Sequence, residues 1–139
     1  MTDNKEPLFT AQDIIHTYTR AEGIADGALV DVTEAARKAG FRIPVALTRT
    51  VWADCVEWTE ADHARKGTIQ DEAGRLKDVL WLAFLAARNA RNSDRQIFDV
   101  LRVPREGRGD YPRRVQLAMH IGPGDSGEPV ITIMQPNED

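Results

Sequence analysis

The sequence has a single cysteine, Cys55, which rules out an internal disulfide and any multi-cysteine zinc site and fits a reducing compartment. Its three histidines, His16, His63 and His120, stand far apart with no companion at i+3 or i+4, so a helical metal pair is missing. Neither a metal nor a cofactor is expected. No glycine-rich loop runs into Lys-Thr or Lys-Ser, which removes the usual nucleotide-binding signature. The apolar run Val79 to Ala87 falls far short of the roughly 20 residues that a membrane span requires. The opening residues Met1 to Pro7 carry no basic run leading into an apolar segment, so no signal peptide is expected and the cytoplasm is the expected compartment.

What is present suits one folded unit. With 139 residues, 42% of them hydrophobic, the chain is long enough to bury roughly two-thirds of its unfolded surface around one core. The net charge of −4, from 22 acidic against 18 basic residues, argues against a surface built throughout to hold phosphates, and leaves room for local basic patches. Residues 1–9, polar and broken by Pro7, read as a flexible arm, and 10–139 as a single domain.

The organising element is the segment Gly74 to Ala90. Wrapped at 3.6 residues per turn, Val79-Leu80-Trp81-Leu82-Ala83-Phe84-Leu85-Ala86-Ala87 is apolar on every side, which predicts a helix buried nearly all round. Before it, Thr10 caps an expected helix with Ile14, Ile15, Tyr18 and Ala21 on one stripe, ending between Gly23 and Gly27. Ala28 to Val32 reads as a short strand, Thr33 to Gly40 as a brief helix, and Phe41 to Val45 as an extended edge or lead-in because of Pro44. Thr48 caps a further helix whose apolar face is Val51, Trp52, Cys55 and Trp58, with Asp54 and Glu57 outward; Thr59 to Asp62 continue or restart it. The last third changes period. Gln96 to Val103 suggests a strand covered on both faces, while Val115 to Ile121 and Val130 to Met134 complete an antiparallel meander. The expected fold is α+β: a central buried helix with surrounding helices packed on a small antiparallel sheet, made of that three-stranded meander plus a short N-terminal strand.

Each chemically suggestive motif has a plain structural reading beside it. Gly124-Asp125-Ser126-Gly127 matches the nucleophile segment of chymotrypsin-like proteases, but Glu128 departs from that motif and neither His16 nor His63 lies in the expected context. A turn between two strands accounts for it. Cys55 reads as a small buried hydrophobe, and Trp52, Trp58 and Trp81 as core. Arg108-Gly109-Asp110 reads as a loop tip. The stretch Arg102 to Arg114 is locally basic, with Arg105, Arg108, Arg113 and Arg114 against Glu106 and Asp110, and is either an arm for phosphates or an acidic protein, or an ordinary solvated hairpin loop. Asp54, Glu57, Glu60, Asp62, Asp71 and Glu72 make the middle of the chain acidic, either as a mimic of nucleic acid or as solvated helix faces.

The segments Thr17-Tyr18-Thr19-Arg20-Ala21, Asp26 to Thr33, Ala36 to Phe41, Gly122 to Asp125 and Ile131 to Met134 together resemble an uncharacterised family of small proteins carried on bacterial plasmids and integrative elements. The resemblance runs from about residue 10 to the end and brings no catalytic motif. It implies a setting in which accessory proteins protect a mobile element from host defence, including CRISPR surveillance complexes and restriction enzymes. The leading expectation is a non-enzymatic, cytoplasmic anti-defence protein that binds a host defence protein or ribonucleoprotein, such as a CRISPR effector subunit, and blocks or displaces it. Its partner-binding residues are expected to be Arg105, Arg108, Arg113 and Arg114 on the hairpin and Asp54, Glu57 and Asp62 on the helix. Two other readings stay open: a small enzyme on nucleotides or nucleic acid, using an acid from Asp26 to Asp31 with Tyr18 and Arg20, and a DNA-binding accessory protein reading phosphates through the arginine hairpin.

Overall fold

The computed structural model describes residues 18–89 and 93–138, so the expected arm and the expected start of the first helix at Thr10 lie outside the described residues. The fold is α+β, with helices α1 (Arg20–Asp26), α2 (Thr33–Ala39), α3 (Arg49–Val51), α4 (Glu60–Lys66) and α5 (Glu72–Arg88) against strands β1 (Leu29–Asp31), β2 (Val45–Thr48), β3 (Arg95–Arg102), β4 (Arg113–Pro123) and β5 (Pro129–Met134). A π-helical turn, Trp52–Val56, continues α3. No helix among the described residues is long and apolar enough to cross a membrane.

Local chemistry sets the helix ends. Thr19 and Glu22 form a capping box at the start of α1, and Thr59 and Asp62 form another at α4, each satisfying amides that the helix itself leaves unpaired. The expected helix with Tyr18 and Ala21 on one stripe is corrected at this point: Thr19 is extended, so Tyr18 precedes α1 instead of lying on it. Asp71 caps α5 through the Gly74 amide at 2.6 Å. The α2 helix ends at Gly40, whose φ of 121° suits glycine, and an added Cβ there would lie 2.7 Å from the Phe84 ring. That close approach lets α2 pack on α5, where Phe41 meets Phe84 edge-on at 5.5 Å.

The strand order is β1-β2-β5-β4-β3. The predicted meander of β3, β4 and β5 is present and antiparallel. The sheet as a whole is mixed, because β2 inserts beside β5 in parallel, Val45 opposite Ile131 and Leu47 opposite Ile133. This corrects the expectation of a wholly antiparallel sheet; of the two expectations for Phe41 to Val45, an edge or a lead-in, the structure shows a lead-in to β2. Pro44 has no amide to donate, but its carbonyl accepts from Ile131 at 2.9 Å, so proline leads directly into an interior strand. β2 lies between β1 and β5, with Val45, Ala46 and Leu47 fully buried.

One face of the sheet carries the core. Val45, Leu47, Phe98, Val100, Leu117, Met119, Ile131 and Ile133 join Val79, Leu80 and Ala83 of α5 in a single cluster. The central helix therefore lies on the sheet rather than inside a wrapping of chain. Only Arg75, Val79, Leu80 and Ala83 of α5 are buried, and Trp81, expected in the core, is half exposed and stacks on Phe84. β3 is likewise covered on one face only: Phe98 and Val100 are buried while Ile97 and Leu101 are exposed. All-round hydrophobicity in α5 predicted total burial, but the layer architecture buries one stripe per helix and leaves the opposite stripe to something else.

Candidate functional site

The basic loop between β3 and β4 folds back onto α4 and the π-helical turn, and the acids and bases that the sequence keeps apart meet there. Asp62, at the first turn of α4, is buried and receives four donors: Arg105 Nε at 2.7 Å, Arg65 Nη2 at 2.7 Å, Thr59 N at 2.9 Å and Thr59 Oγ1 at 3.0 Å. Burial alone would raise its pKa, but these hydrogen bonds win and hold the carboxyl well below the usual carboxylate range. Asp54 is held by Arg102 in a two-point pairing, Nε to Oδ1 at 3.1 Å and Nη2 to Oδ2 at 3.2 Å. Arg105 also approaches Glu57 at 3.5 Å and donates to the Ala53 carbonyl at 3.1 Å. Asp54, Asp62, Arg65, Arg102 and Arg105 border an open polar groove of about 1250 Å³.

Two buried cations complete the framework, and sequence reasoning singled out neither as functional or structural. Lys66 uses all three of its donors on loop carbonyls, Glu106 at 3.0 Å, Gly107 at 3.2 Å and Gly109, and so fastens the loop to the end of α4. Arg75 donates to the carbonyls of Val56 and Val103, both at 3.0 Å, and of Asp54 at 3.2 Å, while its guanidinium stacks over Trp58 at 4.8 Å. The Asp54 and Val56 carbonyls belong to the π-helical turn, whose end therefore receives a positive charge, as helix C-termini favour. Burial pushes the Arg75 pKa below its ordinary value. The only sequence signal was position: Lys66 follows Asp62 by one turn.

The seven predicted contact residues thus divide. Asp54, Glu57, Asp62 and Arg105 belong to the internal network, so Asp54 and Glu57 are not the free outward acids that the helical period implied. Arg108, Arg113 and Arg114 stay exposed and line one shallow concavity of about 370 Å³ with Glu106. Among the described residues Arg108 and Arg113 have no ion-pair partner, and Arg114 has only Asp99 at 3.7 Å. Tyr111, also exposed, stands in the same loop.

The other candidates take structural work. Tyr18 donates to Asp26, which raises the tyrosine pKa and lowers that of the acid. Arg20 turns to β5, donating to Thr132 Oγ1 at 2.8 Å and Ile131 O at 2.7 Å, and Asp31 accepts from Thr33 at the start of α2. The Gly124-Asp125-Ser126-Gly127 segment is the β4–β5 turn. Asp125 accepts from the Arg20 and Ala21 amides at 2.8 and 3.0 Å, and Gly127 takes φ of 84°. Cys55 is buried, and desolvation together with the neighbouring Asp54 pushes its thiol up to about 12, so it is a poor nucleophile in the folded protein. Among the described residues no three His, Cys, Asp or Glu side chains are grouped to hold a metal ion.

A family model matches residues 5–139, nearly the whole chain. The chain belongs to DUF6573, a family of unknown function. No curated protein and no solved structure matches it. The family assignment therefore adds no residue roles, and the Lys66-fastened loop with its three outward arginines is the feature on which a functional reading rests.

Proposed function

We propose that this protein is a non-catalytic binding protein of a mobile element that opposes host defence, docking its arginine loop on an anionic face of a host nucleic-acid-guided complex. One observation carries this reading: beside a loop immobilised by Lys66 and Arg105, the exposed Arg108, Arg113 and Arg114 line a single concavity. A loop already ordered before binding loses little conformational entropy on docking, so its charges are available at low cost to a partner. The partner chemistry that fits is clustered carboxylate or phosphate, which arginine engages in paired hydrogen bonds. The choice of a defence complex as the target follows from the family setting that the sequence resembles.

The deciding experiment is affinity capture from a host cell with the wild-type chain and with Arg108→Glu/Arg113→Glu/Arg114→Glu. The expected result is a defence component retained by the first and lost by the second, together with loss of protection of invading DNA. Capture that is unchanged by the charge reversals would remove the loop from the reading. No capture and no protection by the wild type would remove the reading itself.

The same loop also supports direct phosphate binding, since Tyr111, between Arg108 and Arg113 in the chain, stands exposed. Salt-sensitive retardation of bare DNA or RNA that the triple reversal abolishes would establish this second reading in place of the first.

A further inference from the structure

The two edges of the sheet differ in a way that the arginine loop does not explain. β1, at one edge, has three residues, whereas β3, at the other, has eight. Short edge strands, charges (above all lysines) and prolines keep sheets from pairing with one another; β3 is long, has no lysine or proline, and carries its charges at its two ends, Arg95 and Arg102, and at Asp99. Its outward residues include Ile97, 45% exposed, and Leu101, 63% exposed, against 8% for Phe98 and 1% for Val100 on the core side. On that side α5 overhangs the edge with Trp81, 50% exposed, and Leu82. Trp81, Leu82 and Leu101 line a concavity of about 640 Å³, with Asp78, Asp99 and Arg114 at its margin. Among the described residues no strand lies along this edge.

We propose that β3 pairs antiparallel with β3 of a second copy of this chain, about a two-fold axis at Asp99, to make one continuous ten-stranded sheet. The strand's own sequence selects the occupant and the register. A two-fold axis normal to a sheet keeps each face on its own side, so odd residues oppose odd and even oppose even. Centring the axis on Phe98 sets Ile97 against Asp99, and centring it on Val100 sets Asp99 against Leu101. Centring it on Asp99 sets Ile97 against Leu101 on one face and Phe98 against Val100 on the other, apolar against apolar in both layers. The two Asp99 side chains then meet at the axis, each with its own Arg114 at 3.7 Å, so the row of four charges is neutral. An incoming strand also covers Trp81, which is half exposed in one copy, and the exposed part of Leu82.

The test is the mass in solution by sedimentation velocity at tens of micromolar protein, followed by crosslinking. The full chain is expected to be a dimer, and Ile97→Lys and Leu101→Lys to be monomers with unchanged far-UV circular dichroism, because both side chains are exposed in one copy. Paired positions in an antiparallel ladder have Cα atoms about 4.5 to 5.5 Å apart, within disulfide reach. Asp99→Cys is therefore expected to give a covalent dimer on mild oxidation, and Leu101→Cys, which faces Ile97 of the second copy, to give none. Wild-type protein, whose Cys55 is buried, serves as the crosslinking control. A monomeric wild type, a dimer that survives both lysine substitutions, or Leu101→Cys crosslinking as readily as Asp99→Cys would each overturn the proposal.

Discussion

The β3–β4 hairpin treats its two ends oppositely. At the loop end, charged side chains are drawn out of water and matched with partners: Asp62 with Arg105, Asp54 with Arg102, Lys66 with three carbonyls. Along the outer edge of β3, apolar side chains that could have been buried stand in water. A desolvated charge is tolerated only when fully partnered, so the loop-end charges are committed to holding the structure. Groups left over at either end, the arginines at the loop tip and the isoleucine and leucine at the edge, are free to meet another molecule.

Breaking the committed end should have the largest effect. Asp62→Ala strips Arg105 and Arg65 of a shared carboxylate and removes a helix cap, and should cost about 3 to 4 kcal/mol. Thermal denaturation should show this as a fall in midpoint of roughly 10 °C for a chain of this size. Lys66→Met leaves three loop carbonyls without their donor and should cost about 2 kcal/mol, with amide exchange accelerating selectively in 103–112. If both variants unfold like wild type, the charges at that end are solvated after all and the contrast disappears.

Acid offers a milder way to the same end. The folded pKa of Asp62 lies below the ordinary value of 3.8, so its contribution is complete above that value and disappears as the pH falls through the folded pKa. The urea midpoint should therefore drop below about pH 4, and Asp62→Asn, weaker throughout, should show a flatter profile over that range. The smallest effect on stability belongs to Arg108→Glu/Arg113→Glu, expected within about 0.5 kcal/mol of wild type because these side chains are exposed and, among the described residues, have no ion-pair partner. Loss of partner capture without loss of stability is what separates the loop tip from the network behind it. Cys55 gives a check on the interior: with its thiol pushed up to about 12, alkylation near neutral pH should wait for unfolding, and a fast reaction in native buffer would show that the π-helical turn opens.

Legibility followed the range of the interaction. The cap at Thr48 and the helix ends at Gly27 and Gly40 are legible, because each depends on residues three or four positions away, whereas the capping at Thr59 and Asp71 is a finding of the structure. The meander was legible because its strands alternate and adjoin in sequence. β2 was missed, since a strand that starts after a proline and pairs in parallel with a segment some 85 residues later leaves no local periodicity. The placement of Trp81 and Leu101 was misjudged for a related reason. An apolar side chain states that burial is favourable, but not whether the same chain or another one supplies the cover.

By itself, then, the sequence determined the α+β composition, some of the helix ends, the meander and the absence of cysteine pairs and nucleotide-binding motifs. Only the tertiary structure decided which charges are spent inside and which remain outside. Charge type is a property of a residue, whereas desolvation and partnership belong to its surroundings. Arg105 and Arg108, three residues apart in one loop, are alike on paper; Asp62 lies 2.7 Å from the first, and among the described residues the second has no ion-pair partner.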